Sequence, residues 1–510
     1  VPEHPFNPVP VPDAPFMPMR FGLHALGVRG GFDPSGPTTG FLIWSQGRGI
    51  LFDGPPKARQ VLDQQGIAPS DIEALILSHC HEDHMASFAE LVLELDRPRV
   101  LTAEPIYRSA LQKLATNLQM SEERVADLID YEPICPGEIY HGWGSSFEFF
   151  YTVHPIPTLG VTVTSTIDNE DYRITLTGDT LDFDGLEKMR DAGVITGDER
   201  DAMHAGIPRQ RQDRAVFYAD VGESLIHGHP KDWSDNPNDI HYYHCAETEH
   251  TQSFNHPVAR PGQAHIMVPG PDAQSLAASR LLRALSPLES EEPGQVAEDL
   301  SASATRSLDA GETLVAAGDT LNAFTVILAG ALEEGSRART LRSSDGIGLF
   351  YGVDDSGRAS HDIVALSPTV VLEVSLDVLS NHLRAAGLSN LPSLIRKQLP
   401  FIERVEAFRS LSVPDRCRLA RQLHLEPHAA GSTVSSSADD TDVVLLLEGK
   451  LRRGGREIDA ATGCKILSAA HAEFSNAVTE VVLGKLPRWL VDELRQHKMA
   501  VRVGLESITR

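Results

Sequence analysis

From Met19 onward, short apolar runs alternate with glycine turns and with segments of helical periodicity. Gly40-Phe-Leu-Ile-Trp44 and Gly49-Ile-Leu-Phe-Asp53 are followed by a helix-like stretch near Ala58–Gln65 and then by Ala74-Leu-Ile-Leu-Ser78. Apolar runs this short, bounded by turn residues, predict buried strands, and the intervening helical spacing predicts a sheet with helices packed on it. The first 18 residues hold seven prolines, which fix φ and remove donors, so they predict an extended arm. Farther along, helical spacing predicts a helix over Ala273–Leu285, and the acidic Pro287-Leu-Glu-Ser-Glu-Glu-Pro-Gly294 reads as a linker. Two segments of similar layout follow, about 300–388 and 400–510, joined by the helical Leu391–Val405; they read as a duplicated module.

A chain of 510 residues exceeds one hydrophobic core, and domains of ~100–200 residues predict three. Apolar residues at 41%, charged at 23% and aromatics at 6% place it among ordinary globular proteins. The 71 acidic side chains against 45 basic give −26, which repels nucleic-acid phosphates and anionic lipid, so neither nucleic acid nor membrane is expected as a partner. No run reaches the ~18–20 apolar residues of a membrane helix, and the start lacks signal-peptide regions; a cytoplasmic protein is expected. Five cysteines (Cys80, Cys135, Cys245, Cys417, Cys464), odd in number and without a CxxC pair, read as buried apolar thiols.

The chemistry concentrates in the first half, where fifteen of the twenty-one histidines precede position 271. A predicted strand ending at Ser78 turns into His79-Cys80-His81-Glu82-Asp83-His84. Four potential ligands in six residues are too close to face one ion, which implies two. Neutral imidazoles suit zinc, and a carboxylate lets ions ~3.5–4 Å apart share charge.

On this motif the sequence resembles the metallo-β-lactamase superfamily, through about its first 270 residues, which implies an αββα sandwich. His154 in Val153-His-Pro-Ile-Pro-Thr158 is similar to the family's third ligand motif. Asp179 in Thr177-Gly-Asp-Thr180 is similar to its bridging carboxylate, and His244 in Asp239-Ile-His-Tyr-Tyr-His244 to its last ligand. The resemblance implies one ion on His79, His81 and His154, the other on Asp83, His84 and His244, with Asp179 joining them. Thr38-Thr-Gly-Phe-Leu-Ile43, Ile50-Leu-Phe-Asp-Gly54, Gly66-Ile-Ala-Pro-Ser-Asp-Ile72 and the Asp179 turn look most like the phosphodiesterase and RNase Z-like branch. His227 and His229, after the strand-like Ala215–Asp220, are both placed to protonate a leaving group. His241, three before His244, is expected to point the other way along its strand, and Cys80 away from the ions.

The C-terminal half resembles cyclic-nucleotide-binding domains: Leu308-Asp-Ala-Gly311-Glu-Thr-Leu-Val315 and Phe324–Gly330 match the opening of their β-roll. Gly346, Gly348 and Gly352 before Arg358-Ala-Ser360 are similar to a shortened phosphate cradle, with Arg358 and Ser360 as the nucleotide contacts, but Val353 stands where the family has a ribose-binding Glu. In the second segment Val405–Asp415, His428-Ala-Ala-Gly431 and Val443–Gly449 repeat the layout without a cradle, and Arg452, Arg453 and Arg456 read as a solvated loop. The expected domains are therefore 1–275, 295–390 and 391–510.

The functional expectation is a dizinc phosphodiesterase, with manganese or iron as other candidates, acting on a cyclic nucleotide or related phosphodiester. A hydroxide bridging the ions would attack phosphorus, with Asp83 and His227 or His229 as the catalytic side chains. The β-rolls would bind a cyclic nucleotide effector or hold a homodimer. The alternatives are an RNase Z-like nuclease, with Pro208–Arg214 as its basic segment, or a cyclic-nucleotide-responsive scaffold whose metal domain is inactive.

Overall fold

A computed structural model describes residues 16–33, 36–95, 97–204, 207–222, 226–270, 273–288, 300–335, 339–354, 356–408, 411–434, 442–453, 456–460, 465–467 and 475–497. Most of the proline-rich arm, most of the acidic linker and Cys464 lie outside the described residues. The chain divides into two units, Val1–Pro271 and Asp272–Arg510. Among the described residues, no helix is long and apolar enough to cross a membrane.

The first unit is built on thirteen strands: β1 (Phe21–Gly27), β2 (Gly40–Ser45), β3 (Arg48–Phe52), β4 (Ile72–Ile76), β5 (Arg99–Thr102), β6 (Asp130–Pro133), β7 (Ile139–Gly142), β8 (Ser145–Thr152), β9 (Thr158–Ile167), β10 (Glu170–Leu176), β11 (Ala215–Asp220), β12 (Asp239–Tyr243) and β13 (Ala264–Val268). They form a seven-stranded sheet, β13-β1-β2-β3-β4-β5-β6, and a six-stranded sheet, β12-β11-β10-β9-β8-β7. β1 and β2 are buried at every position, as strands covered on both faces must be, which explains their unbroken apolar runs. Phe41 of β2 reaches across to Tyr218 of β11 and Tyr243 of β12, its ring centroid 5.2 Å from each, so the two sheets face one another. Helices including Ala58–Gln64, Phe88–Glu94 and Glu104–Leu118 bury apolar stripes. This is an αββα sandwich, the architecture that the resemblance implies.

Direction matters more than order for the site. β3, β4, β5 and β6 run parallel, as do β10, β11 and β12, and β8 joins that direction through two antiparallel pairings with β9. Their carboxyl ends therefore open on one edge, where loops of parallel sheets collect functional groups.

The second unit holds two β-rolls of identical topology. In the first, Ala304–Leu308, Thr369–Ser375, Ala323–Ala329 and Gly346–Ile347 form one sheet, and Thr313–Val315, Ile363–Ala365, Leu332–Glu334 and Arg339–Leu341 the other. The second roll repeats this order with His424–His428, Val481–Pro487, Asp442–Glu448 and Lys465–Leu467, then Thr433–Val434, Ser475–Ala477, Lys450–Arg453 and Arg456–Asp459. Helices Leu391–Arg404 and Val413–Gln422 lie between the rolls in sequence; one apolar core including Phe324, Ile395, Cys417 and Leu486 runs through both rolls, and a smaller one including Leu446 and Leu451 lies in the second. The exposed Arg358 donates through Nη1 to the Gly318 carbonyl at 2.8 Å, and the Ser360 amide donates to the Gly352 carbonyl at 2.9 Å, so both residues are tied within the roll.

Candidate metal centre

Each side chain of the cluster follows the carboxyl end of a strand. Asp53 follows β3, Ser78 to His84 follow β4, His154 follows β8, Asp179 follows β10, Asp220 ends β11 and His244 follows β12. Asp53 and His244 sit at φ 64° and 63°, a left-handed conformation that side-chain-bearing residues adopt rarely and that recurs at functional sites.

One hydroxyl proton sets the protonation of the first triad. The Ser78 amide donates to Asp53 Oδ1 at 2.8 Å and the Ser78 hydroxyl to Oδ2 at 2.8 Å. With its proton committed, the Ser78 oxygen, 2.9 Å from His79 Nδ1, accepts that ring's N–H. His79 Nε2 is thereby left as a lone pair. His154 is fixed the same way, because its Nδ1, 3.2 Å from the Ile226 carbonyl, can only donate there. Both Nε2 atoms lie 3.1 Å from His81 Nδ1. One His81 N–H cannot serve two such neighbours, whereas ligands at ~2.0–2.1 Å from a tetrahedral ion would stand about this far apart. Burial, and the neighbouring imidazoles, keep His79, His81 and His154 on the neutral side of their ordinary range.

The second triad is more acidic. His84 donates Nδ1–H to Asp53 Oδ2 at 2.7 Å, turning Nε2 inward, 3.2 Å from Asp179 Oδ2 and 3.5 Å from Asp83 Oδ2. His244 Nε2 lies 3.4 Å from Asp83 Oδ2 and 3.5 Å from Asp179 Oδ2. Asp179 Oδ2 also approaches His79 Nε2 at 3.7 Å and His154 Nε2 at 3.9 Å, so one oxygen faces nitrogens of both triads. Burial opposes the charge on Asp179, yet His84 and His244 hold its carboxyl well below the usual range, and burial of His244 is outweighed by Asp179 and Asp83, which push it up to about 9. The pocket therefore draws in positive charge. Asp179 Oδ1 and His84 Nε2 are buried without a hydrogen-bond partner, an expensive arrangement unless a cation satisfies them. Both donor sets, His79–His81–His154 and Asp83–His84–His244, have ligand atoms within 4.8 Å of one another. The residues present fit divalent cations.

His227 joins this cluster: its Nδ1 lies 2.9 Å from Asp220 Oδ2 and 3.8 Å from Asp179 Oδ2, and its ring stacks on His244 with centroids 4.2 Å apart. His229 is tied into the neighbouring turn. Its Nδ1 accepts the Lys231 amide at 3.1 Å, capping the turn Pro230–Asp232. His241 stacks on Tyr218 at 5.1 Å and meets Asp239 at 3.3 Å, and Cys80 directs its thiol to the Ile106 carbonyl. Cys245 and Cys417 are buried, but Cys135 is exposed, contrary to the buried reading, because it lies in the short connection between β6 and β7.

Two residues escape the sequence reading as functional. Asp53 orients His84 and, through Ser78, His79. Asp220 accepts from His227, from the Thr180 amide at 2.9 Å and from the Gly222 amide at 3.0 Å, tying β11 to the Asp179 turn. Such carboxylates behind metal-binding imidazoles fix ring orientation and tautomer. The one available signal is an acid closing an apolar strand, Phe52-Asp53 and Ala219-Asp220.

Residues 21–198 match the family model described as Anti-Pycsar protein Apyc1, a span that includes six of the seven convergent side chains but not His244. Two curated relatives come from Dictyostelium discoideum. The cGMP-dependent 3',5'-cGMP phosphodiesterase A is 36% identical over 148 residues, 29% of this chain and 17% of that protein. The cAMP/cGMP-dependent 3',5'-cAMP/cGMP phosphodiesterase B is 29% identical over 178 residues, 34% of this chain and 16% of that protein. The matches thus span less than a fifth of either relative's length. Among solved structures, the metallo-beta-lactamase fold protein YhfI from Bacillus subtilis is 15% identical, with 48% of this chain and 98% of that chain covered and a TM-score of 0.34.

Proposed function

We propose that the first unit is a metal-dependent phosphodiesterase that opens a 3',5'-cyclic nucleotide to the nucleoside monophosphate. The observation that carries this reading is the position of Asp179 Oδ2, within 3.9 Å of ring nitrogens from both triads. Two divalent ions, zinc by the imidazole-rich donor set, would be held by His79, His81 and His154 and by Asp83, His84 and His244, with Asp179 between them. When bound, such a pair supplies Lewis acidity, activates water and neutralises the charge that grows on a phosphoryl group. The remaining work falls to the chain. Asp53 and Ser78 keep His79 and His84 presenting lone pairs. Asp220 holds His227 through Nδ1, so His227 can carry a proton on Nε2 and give it to the departing ribose oxygen. The named substrates of the two Dictyostelium relatives support cyclic nucleotides as the substrate class. The two rolls are read as the part that regulates this unit, through a cyclic nucleotide or by holding a homodimer.

The test is incubation of the full chain with cyclic AMP and cyclic GMP, with and without a chelator. Metal-dependent release of nucleoside monophosphate is expected; failure with both nucleotides in zinc-, manganese- and iron-supplemented buffer would overturn the reading.

A further inference from the structure

Phe32 is fully exposed, at 104% of its reference area, while no other exposed large apolar side chain among the described residues passes Val194 at 65%. A phenyl ring held in water forfeits the burial its size would give, and here the backbone beneath it is firmly placed. The Asp33 amide donates to the Gly30 carbonyl at 3.0 Å, closing a turn with Phe32 at its third position. The amides of Val28 and Arg29 both donate to the Pro37 carbonyl at 3.1 Å, which pins the base of the loop.

The same loop is tied to the residues of the metal centre. Thr38 donates its hydroxyl to the Asp83 carbonyl at 2.6 Å, and Arg29 Nη1 donates to the Cys245 carbonyl, next to His244, at 2.7 Å. The two glycines before Phe32 lie directly against candidate ligands. A Cβ on Gly30 would stand 3.1 Å from the His244 ring, and one on Gly31 would stand 2.8 Å from the Asp83 carboxylate. The turn therefore approaches as closely as a backbone without side chains allows, and the next residue is the exposed ring.

We infer that Phe32 is a stacking platform for the nucleobase of the substrate, a specificity-determining contact at the mouth of the centre. The inference rests on the phosphodiesterase reading. The backbone that carries the ring lies against candidate ligand residues, and a planar heterocycle on the same small molecule is the chemistry that fits a lone π-face next to them. Its sequence neighbours, Gly30, Gly31 and Asp33, add no apolar area around it, whereas a protein-docking site is built from a contiguous patch with a central anchor. Stacking tolerates any base, so discrimination would run between substrates with and without a base rather than between adenine and guanine.

The experiment compares Phe32→Ala and Phe32→Trp with the unaltered full chain on cyclic AMP, cyclic GMP and the base-free ribose 3',5'-cyclic phosphate. Phe32→Ala is expected to raise KM for both nucleotides on the order of tenfold at nearly unchanged kcat, Phe32→Trp to restore it, and the base-free substrate to be indifferent to either change. Equal KM for Phe32→Ala and the unaltered chain overturns the inference alone. So does an equal loss on the base-free substrate, or a loss explained by dissociation of an oligomer in light scattering. An unaltered chain inert on every substrate overturns the phosphodiesterase reading, and this inference with it.

Discussion

Ser78 has one hydroxyl proton, and its donation to Asp53 decides which face His79 turns inward. Asp53 in turn holds His84, so a single buried carboxylate governs one ring in each triad. Asp53→Ala is expected to weaken metal retention by roughly 10–100-fold, the usual cost of losing a carboxylate behind a ligating imidazole, as metal titration of the apoprotein would read. His227→Gln should keep the metal and lower kcat by about 100-fold or more, while His229→Gln should leave kcat near the unaltered value; equal effects would show that the proton comes from elsewhere. The cluster His79–His84 is legible in the sequence from its spacing just past an apolar run, whereas His154, Asp179 and His244 are legible only through the resemblance of their segments to metallo-β-lactamase motifs. Asp53 and Asp220 are not legible as positioning groups, since an acid that closes a strand is also an ordinary turn residue, and the partner that gives Asp53 its role, His84, lies 31 positions away.

At the scale of elements, strands such as Gly40–Ser45 and helices such as Leu391–Arg404 fall close to where periodicity puts them. The pairing of Phe21 with Val268, which sets β13 beside β1, has no local signature, because it depends on contacts that form only once the sandwich closes. The link between the two rolls is equally hidden. Asp345, beside the short strand Gly346–Ile347, accepts the amide of Val413 at 3.0 Å at the start of helix Val413–Gln422, close to Arg416. Burial pushes the Asp345 carboxyl up to about 7, against the pull of Arg416 and that amide. A carboxyl that binds its proton more tightly folded than unfolded adds stability that is fully present below about pH 4 and lost as pH rises through about 7. Asp345→Asn should therefore flatten the fall in unfolding free energy between pH 5 and pH 7.5, by up to about 1.4 kcal/mol per pH unit; parallel denaturation profiles for the two proteins would contradict this. Gly31→Ala is expected to lower turnover at least tenfold, since its methyl group would press on a carboxylate that a bound ion would not let move, and the loss is read from kcat at saturating metal.

Over the whole molecule, the division at Pro271 separates the unit that carries the seven side chains from the unit that carries the rolls. The net charge of −26 sets the surface against polyanions, and within the first unit the carboxylates of Asp83 and Asp179 gather with five imidazoles in groups that could hold a metal ion. Filling that pocket with divalent metal is the claim on which the phosphodiesterase reading depends. The most direct measurement is metal content per chain, by elemental mass spectrometry, of the full-length protein and its Asp179→Ala variant after equilibration with zinc and removal of loose metal. Two ions per chain in the unaltered protein, and fewer than one in a variant that stays folded by circular dichroism, is the predicted result. A folded, unaltered protein that holds no metal, or an Asp179→Ala variant that still holds two ions, would contradict it.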